Sequence, residues 1–284
     1  MIAIDTLLAG LFDYAGLYPP ASLGMRSAAN HFIEYGRGGH AWALGRFIVD
    51  LDRVDELRSI AGGSFNEFRP SVIATESAVW DNLASQIHNG NRIDALEIKC
   101  SRAEDVERIA AHIPRQLVTY FEVSMDADGQ AALKSIAALG ARAKIRMGGV
   151  VAEAFPSIPD VVQMLKALAD LRLAFKATAG LHHPLRSRRP LTYQPQGPTG
   201  IMHGFVNLCC AAALLYFGGN TADAEALLDE QDSSAWRITQ DAIQWHDRSW
   251  TVGQLAEVRN QFLISIGSCS FEEPIHDLES LGWL

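Results

Sequence analysis

The chain has 284 residues, 48% of them hydrophobic and 20% charged, which fits a globular protein and excludes a disordered one. Twenty-four Lys and Arg against 33 Asp and Glu give a formal charge of −9. Such a surface repels nucleic acid and anionic membranes, so neither is an expected partner. Four cysteines without a CxxC pair are too few for a disulfide scaffold and suit a reduced, cytoplasmic setting.

The opening MIAIDTLLAG carries Asp5 and no early Lys or Arg, which makes a poor signal peptide. Short β-type runs then alternate with helical patterns. LFDYAG (11–16) is the first predicted strand, followed by a helix over 23–35. WALGRFIV (42–49) precedes a helix over 53–60, and SVIAT (71–75) one over 78–88. ALEIK (95–99) precedes a helix over 103–112, and LVTYFEV (117–123) one over 129–139. RAKIRM (142–147) precedes a helix over 158–170 and the seventh strand, RLAFKAT (172–178). FLISIGSC (262–269) is the eighth strand, with a last helix near 275–281.

The repeat from the second strand to the seventh is roughly 22–30 residues, the size of one β-loop-α unit. Eight such units close a parallel barrel, so the expected fold is one α/β domain over 1–284, a (β/α)8 barrel of TIM type. An open doubly wound sheet shows the same alternation, but no glycine-rich nucleotide loop follows the first strand. One interval breaks the rhythm: residues 179–261 separate the last two strands. This stretch begins with a Pro- and Arg-rich loop. The apolar run from His203 to Phe217 follows, broken by Asn207 and shorter than the ~20 residues of a membrane span, so it is expected as a buried helix. An acidic helix (221–230) and a hairpin with HDRS at its turn (241–252) complete it. The stretch is expected to be a largely helical insert that caps the C-terminal mouth, where barrel active sites lie. Trp236, Trp245 and Trp250 within it read as a satellite core, with a lid wall or a dimer contact as other uses; a homo-oligomer stays open.

Charges inside the predicted strands carry the functional signal. Strand side chains alternate faces, so Glu97 and Lys99 share one face, as do Lys144 and Arg146. Lys176 shares a face with Thr178, Glu122 with Tyr120, and Asp13 and Arg46 lie on the first two strands. The outer face of a barrel strand packs under helices, so the charged face must be the lumen. Burying charge is costly unless it is paired or serves chemistry. A structural ion-pair network is one reading, and a lumenal active site at the C-terminal strand ends is the other. Lys144 and Arg146, with Lys176 on the next strand, form a cation cluster. Repulsion and desolvation depress a lysine pKa, and a neutral amine is the nucleophile of Schiff-base chemistry. A shift of about 3 units, or about 4 kcal/mol, is needed near neutral pH. The carboxylates Glu97 and Glu122, expected to move protons, must then lie nearer Lys99 and Arg146 than Lys144.

AKIRMGG on the sixth predicted strand and AFKATAGLHHP on the seventh resemble the two lysine strands of class I aldolases of the deoxyribose-phosphate aldolase type. The resemblance covers roughly 40 residues. It implies an imine on Lys144 and a helper role for Lys176, and it maps an acid to Glu97 where that family uses aspartate. Arg146 departs from that family's lysine-Thr-Ser pattern, and the segment 179–261 is foreign to it.

Histidines give a competing signal. GLHHP places His182 and His183 after the seventh strand, and His203 opens the apolar helix with Asn207 one turn on. They are expected to bind substrate or backbone, or alternatively, with a strand carboxylate, a Zn²⁺ or Mn²⁺ ion. The loops AGLHHPLR and IGSCSFEEP resemble a phosphate-binding corner in their chemistry, with Gly267, Ser268 and Ser270 as donors and Arg186, Arg188 and Arg189 as cations. Ordinary turn chemistry is the plainer account of both. Cys269 has no histidine tied to it by sequence, which makes it a poor candidate nucleophile. Three functions compete. The first is a cofactor-free lyase using Lys144, Lys176, Glu97 and Glu122 on a small anionic or polyhydroxylated carbonyl compound. In it Asp13, Arg46, Lys99, Arg146, His182, His183, His203, Asn207, Ser268 and Ser270 bind substrate. The second is a metal-dependent hydrolase or isomerase, and the third a non-catalytic barrel that binds a small acid.

Overall fold

In the computed structural model, which describes residues 2–100 and 102–284, seven short strands come first, and helix follows each of the first six. They are β1 (Phe12–Tyr14), β2 (Leu44–Asp50), β3 (Pro70–Ala74), β4 (Ala95–Lys99), β5 (Thr119–Val123), β6 (Arg142–Arg146) and β7 (Phe175–Thr178). Then come a hairpin, β8 (Ser187–Pro190) with β9 (Thr199–Met202), and a three-stranded sheet, β10 (Trp236–Ile238), β11 (Ala242–Trp245) and β12 (Arg248–Thr251). The last strand, β13 (Leu263–Ser268), pairs with both β7 and β1 and closes an eight-stranded, all-parallel barrel. Helices flank it, so the α/β barrel expected from the repeat is present and the open sheet is not.

Alternation explains what lies inside. In β4, Leu96 and Ile98 are fully buried beneath helices, which leaves Glu97 and Lys99 to the lumen. The registers set Lys99 beside Glu122, Glu122 beside Lys144, Lys144 beside Lys176 and Lys176 beside Ser265. Side-chain caps fix where the outer helices begin. Asp126 accepts from the Gly129 N–H ahead of Ala127–Ala138, and Ser157 accepts from the Asp160 N–H ahead of Ile158–Asp170. Caps of this kind contribute about 1 kcal/mol each. The seventh strand starts three residues later than the sequence suggests. Arg172 takes a left-handed conformation at φ 50°, so the chain turns at 171–172 and pairing begins only at Phe175.

Between β7 and β13 the chain does several things. Every residue of the helix Phe205–Tyr216 is buried, which is why its sequence is apolar all round. It packs against Ile158–Asp170 and Thr221–Asp229, within the layer of helices around the barrel. Residues 190–193 and Met202 line the cavity at the mouth. Trp236, Trp245 and Trp250 are buried, with the Trp236 ring 6.4 Å from Trp245 and 6.2 Å from Trp283; they belong to the main hydrophobic core rather than to a satellite, and none of them lines the cavity. Among the described residues no helix is long and apolar enough to cross a membrane.

One glycine ties the fold to the lumen. A Cβ on Gly45 would fall 2.4 Å from Asp13 Oδ1 and 3.1 Å from the carbonyls of Gly10 and Phe12. Gly45→Ala should therefore lower the unfolding free energy by about 1–3 kcal/mol, seen as a lower urea midpoint at unchanged slope. An unmoved midpoint would show that Asp13 is not held against β2.

Candidate active site

A cavity of about 1070 Å³ opens at the C-terminal mouth. Its floor holds a network of two ammoniums and three carboxylates. Lys176 Nζ lies 2.5 Å from Asp13 Oδ2 and 2.7 Å from Glu97 Oε1. Lys144 Nζ lies 2.7 Å from Glu97 Oε2 and 2.8 Å from Glu122 Oε2. Glu97 therefore bridges both lysines, one through each carboxylate oxygen. The Ser71 hydroxyl donates to Glu97 Oε1 (2.6 Å) and the Ser265 hydroxyl to Asp13 Oδ2 (2.7 Å). Asp13 Oδ1 accepts from the Arg46 backbone N–H at 2.7 Å.

Charges this deep must be compensated, and these are. Burial alone would raise the Glu97 carboxyl, but Lys144 and then Lys176 outweigh it and hold the group well below the usual carboxylate range. Burial would lower the Lys176 amine, yet Asp13 and then Glu97 push it above the usual lysine range. Glu122 is the partly exposed member, with 18% of its side chain accessible.

The expectation that cations crowd Lys144 while carboxylates sit elsewhere is not met. Both carboxylates rest on Lys144, because the register puts Glu122 directly beside it. Lys99 and Arg146 line the cavity instead without an acidic partner within ion-pair distance among the described residues; Arg146 Nε donates to the Gly148 carbonyl. These two cations are free to meet an anion.

Several expected site residues lie elsewhere. Asp13 sits beneath Lys176, which screens it from the cavity. Arg46 belongs to the other end of the barrel. It comes early in β2, whose later residues Ile48 and Asp50 reach the mouth, and it pairs with Asp94 at 2.6 Å beside a smaller cavity. Asn207 is a structural pin whose amide donates to the Leu227 and Glu230 carbonyls and whose oxygen accepts from the Arg186 N–H. His203 bonds the Pro156 carbonyl (2.9 Å) and Arg186. Ser268 and Ser270 close the turn after β13, with the Ser268 hydroxyl donating to the Ser270 carbonyl. Arg186 pairs with Asp229 and Arg189 lies near Asp277, so neither joins Gly267 at a phosphate corner.

His182 and His183 do line the cavity. His183 Nδ1 is 2.7 Å from Asp277, while His182 faces Glu273, so the three histidines are directed at separate partners. Among the described residues no three His, Cys, Asp or Glu side chains are arranged to hold a metal ion. The sequence reading missed Tyr18, whose hydroxyl donates to Asp50 at 2.9 Å on the cavity wall, and also Tyr193 and Glu273 at its rim. None of these sits in a pattern that marks it as functional.

Comparison with models of known protein families and with curated proteins finds no match to this chain. Its function is therefore argued from its own residues.

Glu97→Gln removes the shared carboxylate from two buried ammoniums and should cost about 3–5 kcal/mol near neutral pH. Because the folded Glu97 pKa is depressed, its contribution is complete above the unfolded value of about 4.3 and is lost as pH falls through the folded value. The raised Lys176 contributes fully below about 10.4 and is lost as pH rises through its folded value. Urea unfolding of both proteins from pH 3 to 9 checks this. The difference should be flat above about pH 5 and shrink in acid; a constant difference would contradict it.

Proposed function

We propose that this protein is a lyase of the class I aldolase kind, acting on a small anionic or polyhydroxylated carbonyl compound through an imine on Lys144. The observation that carries this reading is the in-register pair Lys144 and Lys176 sharing Glu97 on the floor of a large open cavity. Lys99 and Arg146 would hold the anionic end of the substrate. Residues 187–202, with the stretch 179–261 that carries them, would serve as the cap. The four unpaired cysteines suit a reducing, cytoplasmic compartment.

The amine is activated by proton transfer rather than by cation repulsion. In water, moving a proton from lysine to glutamate crosses a gap of about 6 units, or about 8 kcal/mol. Glu122 is the fitting acceptor because Lys144 is its one ion-pair partner among the described residues, whereas Glu97 is also held by Lys176. Lys144 Nζ then adds to the substrate carbonyl carbon, one of its protons passes to the carbonyl oxygen, and Glu122 returns the second proton, so that oxygen leaves as water and a protonated imine remains. The imine draws the electron pair of the adjacent C–C bond while Glu122 takes the β-hydroxyl proton and an aldehyde departs. Protonation of the enamine by Glu122 and hydrolysis restore Lys144. Lys176, held between Asp13 and Glu97, stays charged and keeps Glu97 ionised.

The double carboxylate grip on Lys144 also favours a second reading. Lys144 would remain an ammonium that polarises the carbonyl, and Glu122 would abstract an α-proton, as in an isomerase. Borohydride reduction with a panel of hydroxy-aldehydes and keto acids, read by peptide mass, separates the two. The lyase reading expects a reduced adduct on Lys144, its loss in Lys144→Arg and at least a tenfold slower trapping in Glu122→Gln. An adduct on another lysine would contradict it. Exchange of substrate α-protons for deuterium with no adduct would establish the isomerase.

A further inference from the structure

Above the lysine floor the same cavity carries a cluster assembled from three loops and a helix. Cys269 directly follows β13, His182 lies four residues beyond β7, Tyr193 three beyond β8, and Glu273 in the first turn of the helix Glu272–Ser280. Cys269 Sγ is 3.9 Å from His182 Nε2 and 3.7 Å from the Tyr193 hydroxyl. Across the imidazole, His182 Nδ1 is 3.1 Å from Glu273 Oε2 and 3.3 Å from Ser268 Oγ. The Tyr193 hydroxyl donates to the same Glu273 carboxylate at 3.0 Å. Thiol, imidazole and orienting carboxylate thus stand in the order of an activated nucleophile. The carboxylate draws the Nδ1–H and turns Nε2 toward the thiol.

Burial and hydrogen bonds set the charges around the sulfur. Burial would lower His182, but its hydrogen bonds to Cys269 and then Glu273 win, and it is pushed up to about 10, so the ring is charged at neutral pH. Glu273 would be raised by burial but is held below its usual range by His182. Burial pushes the hydroxyls of Tyr14, which faces Cys269 from β1, and Tyr193 above their usual range, so both stay neutral. Burial lowers neighbouring His183, which adds no charge. The charged group nearest Cys269 Sγ is thus the His182 imidazolium, with the Glu273 carboxylate behind it. The other cysteines are unlike it. Burial raises Cys100 and Cys210 and pushes Cys209 up to about 12, and none of the three lines the cavity.

We propose that Cys269 is a second nucleophile of this cavity, a thiolate paired with the His182 imidazolium that captures aldehydes. Its sulfur adds to the aldehyde carbon, the C=O π pair moves to oxygen, and that oxygen takes the Nε2 proton of His182. The product is a thiohemiacetal, formed without oxidant or reductant and released by the reverse steps. This capture rests on the rim cluster and does not need an imine on Lys144.

Iodoacetamide labelling of the full-length protein, followed by peptide mass across pH 5.5–9, tests it. Cys269 should label first and keep its rate down to about pH 6, well below the ordinary thiol ionisation near 8.5. His182→Gln should slow its labelling at pH 6 by about 100-fold and leave the pH 9 rate within a few-fold. Glyceraldehyde should protect Cys269 equally in the wild type and in Lys144→Arg. Labelling of wild-type Cys269 that follows an ordinary thiol profile overturns the proposal, and that profile decides the matter even if His182→Gln fails to fold. Protection that vanishes in Lys144→Arg also overturns the capture and reports the lysine imine instead. No protection in either protein overturns it as well.

Discussion

Glu97 is one carboxylate between two buried ammoniums, and the rest of the barrel interior follows from that arrangement. Two lysines on adjacent strands cannot both be charged in a dry lumen without a counter-ion that touches each. Glu97 meets this demand with one oxygen per lysine, and Asp13 and Glu122 complete the far side of each. Ser71 and Ser265 fill acceptor positions that water would otherwise occupy. The neighbouring structure serves this group: Gly45 lacks a side chain because Asp13 presses against it. The position of each charge is set by strand register, so the barrel and its polar floor are specified together.

The network is graded from bottom to mouth. Asp13 and Lys176 are sealed, Glu97 and Lys144 nearly so, and Glu122 reaches the cavity. Glu122 is therefore the carboxylate of this network that a molecule in the cavity meets first. Lys99 and Arg146 add positive charge above this floor, without acidic partners among the described residues, in a protein whose overall charge is −9. That local positive charge is what the proposed anionic substrate would meet. The rim cluster of Cys269, His182 and Glu273 then faces whatever the floor holds.

Much of this was legible from alternation alone. Charged residues two apart in RAKIR and ALEIK can only face the lumen when helices cover the other side, and they do. What alternation cannot give is which carboxylate meets which lysine. That depends on the register between strands, and it put Glu122 on Lys144 where the sequence reading wanted it on other cations. Depth along a strand was equally hidden: Arg46 and Glu97 look alike as charges within strands, yet one serves the bottom and the other the mouth. The pairing of Cys269 with His182 spans 87 residues and one full βα unit, so no local pattern announces it. Serine and asparagine positions such as Ser268 and Asn207 read as ligands in sequence, but here they satisfy backbone groups, which is the commoner use of such side chains.

The central claim is that Lys144 is the ammonium that gives up its proton while Lys176 keeps its own. Nitrogen-15 spectra of the lysine Nζ groups, assigned with Lys144→Arg and Lys176→Met, test this most directly. The account predicts two protected ammonium signals in the free protein. On adding a reactive carbonyl compound, the Lys144 signal should give way to an imine nitrogen while Lys176 stays an ammonium. If both signals remain ammoniums at saturation, or if Lys176 is the one converted, the account of this site is wrong.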